Sequence, residues 1–170
     1  MNEKCWIPEI IPLESYDGNW QKYEDAIYCI FKNDFITSTP QFNGKKVQIK
    51  KYPIENEKEN AFFHVTCADF NKNNERLPDM RRCERIRWIR AFIENYNCDN
   101  SKCTDCNGVK IWQEPYKSRT RIHILLEEER YLVILEDRKT YYLLITAYYL
   151  DYDHSLEKQL NNYEKYKKSA

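Results

Sequence analysis

The stretch VKIWQEPYKSRTRIHILLEEERYLVILEDRKTYYLLITAYYL, residues 109–150, decides the fold because apolar runs and short polar connectors alternate along it. The runs predict four strands, at Val109–Glu114, Thr120–Glu127, Tyr131–Glu136 and Thr140–Leu150. Since the connectors are short, neighbouring strands are expected to pair antiparallel. The last run is almost continuously apolar, which is typical of a central strand buried on both faces.

The residues on either side of this stretch predict helices. Apolar residues recur with the helical period from Asn19 onward, and LPDMRRCERIRWIRAF, residues 77–92, predicts a second helix from about Asp79 to Asn95. A polar C-terminal helix is expected from about Asp153. The second helix carries five arginines, which are Arg81, Arg82, Arg85, Arg87 and Arg90.

Two shorter strands complete the pattern, one around Val47 and one in AFFHVTC, residues 61–67. The predicted class is α+β, with N-terminal helices packed on an antiparallel four- to five-stranded sheet and a C-terminal helix. Residues 1–18 hold two prolines and are expected to form an irregular arm. Residues 19–170 are expected to form a single domain.

Composition excludes several classes of protein. The chain of 170 residues has no formal net charge and only 3 glycines, so it carries no glycine-rich nucleotide-binding fingerprint. No run of about 18 apolar residues predicts a membrane span. The acidic, proline-interrupted N-terminus does not predict a signal peptide, and a cytoplasmic location is expected. In a neutral chain the clustered arginines form a local surface suited to phosphate or nucleic acid.

Three of the seven cysteines form a candidate metal site. Cys98, Cys103 and Cys106 have the spacing C-x4-C-x2-C, in which the closer pair can chelate one ion. This spacing predicts a structural zinc, whose fourth ligand would come from elsewhere in the chain. The alternative is three unrelated thiols in a loop.

Arg119, Arg121 and His123 alternate along one predicted strand, so their side chains share a face, and Lys117 lies just upstream. Two guanidiniums and an imidazole on one sheet face suit a phosphate-binding site. The alternative is a solvated outer face on which these charges pair with the glutamates at 127–129.

Two further residues could take part in chemistry. His64 lies in the predicted strand at 61–67 and is a candidate general acid or base, because an ordinary imidazole titrates near neutrality. The alternative is a sheet histidine that hydrogen-bonds to a neighbour. Thr146, in the last strand close to Tyr148 and Tyr149, could donate to a substrate, or could satisfy its hydroxyl locally.

The order of these motifs resembles a known family. The motifs are WxxYxxxIYxIFxxDF (20–35), FFHV (62–65), RRCERIRWIRxxIEN (81–95), KIW (110–112), RTRIxIxLEEExYLVIL (119–135) and YYLLxTAYxLxYxHxxxK (141–158). The pattern is similar to the phage- and mobile-element-associated branch of the barnase–EndoU–colicin–RelE-like ribonucleases. The resemblance covers most of the chain beyond residue 18, whereas the cysteine loop is a departure from the family's pattern.

This resemblance implies a ribonuclease-like domain of helices packed on a four-stranded antiparallel sheet. It implies RNA cleavage without a metal, in which the 2′-hydroxyl of the RNA attacks the neighbouring phosphate. His64 would be the acid or base, and Arg119 and Arg121 would hold the phosphate. Thr146 and Tyr149 would hydrogen-bond that phosphate from the last strand.

The resemblance also implies that Arg81 and Arg85 guide the RNA, or that one of them completes the site. Arg82 on the same predicted helix and Lys117 beside the predicted strand are further RNA-binding candidates because of their charge. The expected function is that of a toxin-like endoribonuclease that needs no cofactor. Its substrate would be RNA, and its partner an antitoxin or immunity protein. The alternative is a non-enzymatic module that binds nucleic acid or protein, with or without a structural zinc.

Overall fold

The computed structural model describes residues 5–99 and 106–167. Within them, the helices are α1 (Trp20–Lys32), α2 (Asn60–Thr66), α3 (Met80–Glu84), α4 (Trp88–Glu94) and α5 (Asp153–Tyr166). The strands are β1 (Gln41–Phe42), β2 (Lys45–Ile49), β3 (Cys67–Phe70), β4 (Arg76–Pro78), β5 (Lys110–Tyr116), β6 (Arg119–Leu126), β7 (Tyr131–Asp137) and β8 (Tyr142–Tyr149). A 3-10 turn at Leu13–Tyr16 precedes α1, and a π-helical turn at Asn33–Thr37 follows it.

Six strands form the main sheet, in the order β1-β2-β8-β7-β6-β5, and β3 and β4 form a separate hairpin. Strands β5 to β8 make the antiparallel meander that the sequence predicts. Strand β2 lies beside β8 in parallel, which the long helix-bearing connection between them permits. The α+β class is therefore confirmed. The main sheet has six strands, against the four to five predicted, and one of its pairings is parallel.

The two faces of the sheet are covered differently. The core face carries Ile122, Ile124 and their neighbours and packs against the helices from α1 to α4. The opposite face, which we call the α5 face, carries Trp112, Leu125 and Leu132 and packs against α5. Helix α5 has no buried residue and covers only the apolar end of its face. The other end carries charged residues.

The segment AFFHVTC was wrongly predicted to be a strand, because residues 60–66 form α2 and a strand begins only at Cys67. All residues of α2 except His64 are buried, so the segment shows neither the alternation of a strand nor one helical stripe. A short run that is apolar on every side fits either structure. The Thr66 hydroxyl donates to the Phe62 carbonyl at 2.8 Å, one helical turn back.

The segment predicted as one arginine helix is broken into α3 and α4. Asp79 begins α3 by accepting hydrogen bonds from the amides of Arg81 and Arg82. At the break, the amide of Trp88 bonds to the carbonyl of Arg85, three residues back, at 2.9 Å. On either side of this tighter turn, Cys83 of α3 and the apolar residues of α4 both pack into the core.

Residues 5–18 of the N-terminal arm contain one 3-10 turn and are held on the helices by hydrogen bonds. The Trp88 indole donates to the Pro8 carbonyl at 2.8 Å. The Ile11 amide donates to the Glu84 carbonyl at 2.9 Å, and the Ile11 carbonyl accepts from the Tyr23 hydroxyl at 2.8 Å. In the part of the chain that the structure describes, no helix is long and apolar enough to cross a membrane.

We expect Tyr23→Phe to lower the free energy of unfolding by about 1–2 kcal/mol, because it leaves the buried Ile11 carbonyl without its side-chain donor. Urea unfolding followed by far-UV circular dichroism measures the change. Tyr152→Phe is the matched control, since that ring is 66% exposed. An equal loss in both variants would contradict the docking of the arm.

Candidate functional site

A cluster of arginines surrounds one buried carboxylate at the open end of the α5 face. We call Arg119, Arg121, Arg138 and Glu136 the arginine cluster. Arg121 Nε donates to Glu136 Oε2 at 3.1 Å. The Nε atoms of Arg119 and Arg138 lie 3.7 Å and 2.8 Å from Glu136 Oε1. The side chain of Glu136 is 4% exposed, so the carboxylate is the buried centre of this cluster.

The arginine cluster has a surplus of positive charge. Three guanidiniums face one carboxylate, and the side chains of Arg119, Arg121 and Arg138 are 46%, 23% and 28% exposed. Each planar guanidinium has five N–H donors. Because only one or two of these donors face Glu136, the others remain for a ligand on the solvent side. The arrangement suits a bound phosphate, which accepts paired N–H donors from arginine.

An aromatic side chain borders the arginine cluster at the turn between β5 and β6. The guanidinium of Arg121 stacks on the Tyr116 ring, and its Cζ atom lies 3.4 Å from the ring centroid. Lys117 Nζ lies 5.4 Å from the same ring. Tyr116 is 41% exposed, so Tyr116 and Lys117 form the rim of the site.

A carboxylate and an imidazole lie beside Arg121 on the same face. Glu114 is directly opposite Arg121 in the strand register, so Arg121 has Glu114 on one side and Glu136 on the other. The Trp112 indole donates to Glu114 Oε1 at 2.7 Å, and His123 Nε2 lies 3.9 Å from Glu114 Oε2. The carboxylate is therefore oriented by two neighbours, while its side chain keeps 21% exposure.

The surroundings of His123 favour its neutral form. Burial lowers its pKa most, and the positive charge of Arg121 lowers it further, against the opposing effect of Glu114. The ring stacks on Trp112 at 5.0 Å between centroids, and its Nδ1 atom has no hydrogen-bond partner within the described residues. A neutral imidazole next to a carboxylate can accept and return a proton.

The structure brings His64 and Thr146 together, but at a different place. The Thr146 hydroxyl donates to the backbone carbonyl of His64 at 3.2 Å, and Arg82 Nη1 donates to the same carbonyl at 3.1 Å. The His64 side chain is exposed on one side, whereas the rest of it lies against the protein. This partial removal from water lowers its pKa most, followed by the charges of Arg76, Lys50 and Arg82, while Glu55 raises it. His64 therefore lies beside the edge of β8, near positive charges that are not those of the arginine cluster.

Tyr149 and the arginines before it form a third group. The guanidiniums of Arg81 and Arg85 lie 4.5 Å and 4.6 Å from the Tyr149 ring, which packs against the core face. Arg81 also pairs with Asp151 at 3.4 Å, and Arg85 with Glu84 at 3.5 Å. This group is therefore on the other side of the sheet from the arginine cluster.

Arg82 has a structural role as well. Its Nη1 atom donates to the carbonyls of His64 and Cys67, which joins α3 to the end of α2. Its guanidinium also lies 5.3 Å from the Tyr148 ring. Of the four predicted RNA-binding residues, only Lys117 borders the arginine cluster.

Cys98 and Cys106 flank the predicted zinc loop, and Cys103 lies outside the described residues. The Val109 amide donates to the Cys98 carbonyl at 2.8 Å, and the Gly108 amide to Cys106 Sγ at 3.4 Å. The backbone of Gly108 has a φ of 86° and approaches Asp99 so closely that a Cβ would lie 3.1 Å away. The two ends of the loop are therefore close together. Among residues 5–99 and 106–167, no group of three metal-ligating side chains is present.

Comparisons with protein-family models, with curated proteins and with solved structures find no match to this chain. The arrangement of side chains therefore carries the functional argument. Sequence reasoning missed Glu114, Glu136 and Arg138. The signals for them were an acidic residue between Trp112 and Tyr116, and another at the end of the apolar run of β7. The arginines pair with Glu136 and not, in the described residues, with the glutamates at 127–129.

We expect Lys50→Gln to raise the pKa of His64, because it removes one of the positive charges that disfavour the imidazolium. NMR titration of the imidazole protons measures the shift, with Lys46→Gln, an exposed lysine on the same part of the chain, as control. Since the folded-state pKa lies below the ordinary value, the stability linked to neutral His64 is lost as pH falls below that value. If Lys50→Gln leaves the pKa of His64 unchanged, or if Lys46→Gln shifts it equally, Lys50 is not one of the charges that lower this pKa.

Proposed function

We propose that this chain is a metal-independent, toxin-like endoribonuclease that acts in the cytoplasm and cleaves RNA at the open end of the α5 face. The observation that carries the proposal is the position of Arg121. It lies between the buried carboxylate of Glu136 and the partly exposed carboxylate of Glu114, which has the buried His123 beside it. Phosphate-binding groups and proton-transfer groups are therefore adjacent on one sheet face.

In the proposed reaction, the 2′-hydroxyl of the RNA attacks the neighbouring phosphorus. Glu114 takes the hydroxyl proton, the 2′-oxygen–phosphorus bond forms and the phosphorus–5′-oxygen bond breaks. The Glu114–His123 pair returns a proton to the departing 5′-oxygen, which leaves a 2′,3′-cyclic phosphate and a 5′-hydroxyl end. The guanidiniums of the arginine cluster stabilise the charge that builds up on the phosphate oxygens.

The resemblance to the barnase–EndoU–colicin–RelE-like ribonucleases supports the same reaction, but the geometry assigns some roles differently. Arg119 and Arg121 keep their expected role as the phosphate clamp. The role expected of His64 passes to Glu114 and His123, because these share the face of the arginine cluster. Thr146 uses its hydroxyl on the backbone of α2, and Tyr149 packs on the core face.

We expect purified protein to cleave single-stranded RNA in the presence of EDTA, and Glu114→Gln and Arg121→Gln each to slow cleavage by roughly a hundredfold or more. Arg119→Gln, at the most exposed arginine of the cluster, is a second clamp variant that disturbs folding least. Gel electrophoresis of an end-labelled RNA measures the rate and the type of end. Lys32→Gln, at the exposed end of α1, is the control and should cleave like the wild type.

One further variant tests how the roles are divided between His64 and the residues of the sheet face. His64→Ala should slow cleavage less than tenfold, because the imidazole lies beside the edge of β8 and acts outside the proposed chemistry. Thermal unfolding monitored for every variant identifies those that lose activity by losing structure. RNA that stays intact at high protein concentration, or cleavage that persists in both Glu114→Gln and Arg119→Gln, would contradict the proposal.

A non-enzymatic nucleic-acid-binding module is the second candidate function. The exposed Tyr116 ring and Lys117 at the rim favour it, because an aromatic ring and a cation bind a base and a phosphate without any reaction. This function predicts salt-dependent RNA binding with no cleavage. The structural zinc at Cys98, Cys103 and Cys106 stays a proposal for either function, and metal analysis of purified protein tests it by its stoichiometry. An antitoxin or immunity protein is likewise a proposed partner.

A further inference from the structure

A groove lies away from the arginine cluster, between α1, the loop before α2, and the hairpin of β3 and β4. It encloses about 620 Å³, within the usual range of ligand pockets. Its walls combine aromatic rings with carboxylates, and we call it the acidic groove. The residues that matter for its chemistry are Trp20, Glu24, Glu55, Phe63, Phe70 and Glu75.

Negative charge dominates the acidic groove. Glu55 is neutralised by Arg76, and Glu24 lies 3.6 Å from Lys58. Glu75 accepts a hydrogen bond from the neutral amide of Asn71, and no cation among residues 5–99 and 106–167 forms an ion pair with it. A shallow depression beside the groove shares Glu24 and adds the carboxylates of Asp25 and Glu57. The carboxylates of this surface therefore outnumber its cations, which attracts cationic groups and repels phosphates.

One cation of the chain itself shows how this groove binds a positive group. Arg76 donates two hydrogen bonds to the Glu55 carboxylate, at 2.9 Å and 3.1 Å. Its guanidinium lies 5.2 Å from the Phe63 ring and 4.9 Å from the Phe70 ring. A cation stacked on aromatic rings and paired with a carboxylate is the arrangement by which proteins recognise arginine and lysine side chains.

The aromatic surface of the groove is larger than Arg76 occupies. Phe70 is 51% exposed, and Trp20 also lines the groove. Exposed aromatic rings beside a carboxylate without a cationic partner among the described residues suit a segment that carries both cationic and aliphatic side chains.

We propose that the acidic groove binds an arginine- or lysine-rich segment of a partner protein. One cationic side chain of that segment packs on the rings of Trp20 and Phe70 and pairs with Glu24 and Glu75, and an aliphatic neighbour packs on the exposed part of Phe70. This binding does not depend on the proposed ribonuclease activity, because it uses none of the residues of the arginine cluster. RNA and the basic segment would therefore bind to separate surfaces of opposite charge.

The test uses the full chain, labelled with ¹⁵N, and a synthetic peptide GRLKRLG with blocked ends. A second peptide of the same shape replaces arginine by citrulline and lysine by acetyl-lysine, which removes the positive charge. We expect the charged peptide to shift the amide signals of the acidic groove saturably, around Trp20, Glu55 and Phe70. The uncharged peptide should leave these signals unchanged.

A pair of double variants tests the carboxylates. Glu24→Gln with Glu75→Gln should weaken binding of the charged peptide by about fivefold or more, since both changes remove partners of the cation. Glu14→Gln with Glu157→Gln removes the same charge at exposed positions outside the groove and should leave the affinity unchanged. Unfolding midpoints show that both double variants keep the fold.

Several outcomes would overturn the proposal. These are no saturable shift at millimolar peptide, equal binding of the uncharged peptide, and equal weakening in the two double variants. Shifts of the groove signals on concentrating the chain without peptide, together with a doubled mass in solution, would show a second copy as the occupant instead. Each result is independent of whether the chain cleaves RNA.

Discussion

The ion pairs of the buried Glu136 carboxylate are the interactions on which the proposed RNA-binding surface depends. A charge that is almost fully removed from water needs partners, and here the partners are two guanidiniums of β6 and that of Arg138, which follows the end of β7. Because Arg119, Arg121 and Arg138 are fixed by Glu136, their remaining donors point in set directions before any ligand arrives. Such preorganised positive charge is what a phosphate in a transition state requires.

The division of the sheet into two faces explains why the arginines before and within the sheet have different roles. Strand β2 pairs with β8 only as far as Leu144, and beyond it α2 and α3 border β8 instead. Arg82 and Thr146 both bond to the His64 carbonyl and so hold that helical edge in place. Most arginines of the helices therefore support packing. The arginines of β6 lie at the end of the α5 face that the helix does not cover, so part of each side chain is exposed.

The periodicity of apolar residues predicted the meander of β5 to β8, the α+β class and the common face of Arg121 and His123. It could do so because side chains alternate along a strand with a period of two residues, which the sequence shows directly. It did not predict the α2 helix, whose apolar run has no distinguishing period. Nor did it predict Glu136 as the partner of Arg121, since the strand register joins residues distant in sequence. The break after α3 depends on tertiary packing of the core, which local patterns do not encode.

The most direct test of this account is an NMR titration of the full chain with a 2′-deoxy dinucleotide, which binds like RNA but lacks the attacking hydroxyl. If RNA binds to the arginine cluster, we expect saturable shifts of the Nε–H signals of Arg119, Arg121 and Arg138, and these shifts should diminish as salt is raised. Shifts confined to Arg81 and Arg85 would contradict this, because they would place the nucleic acid on the helical side of the sheet. The arginine cluster would then be a purely structural network of ion pairs.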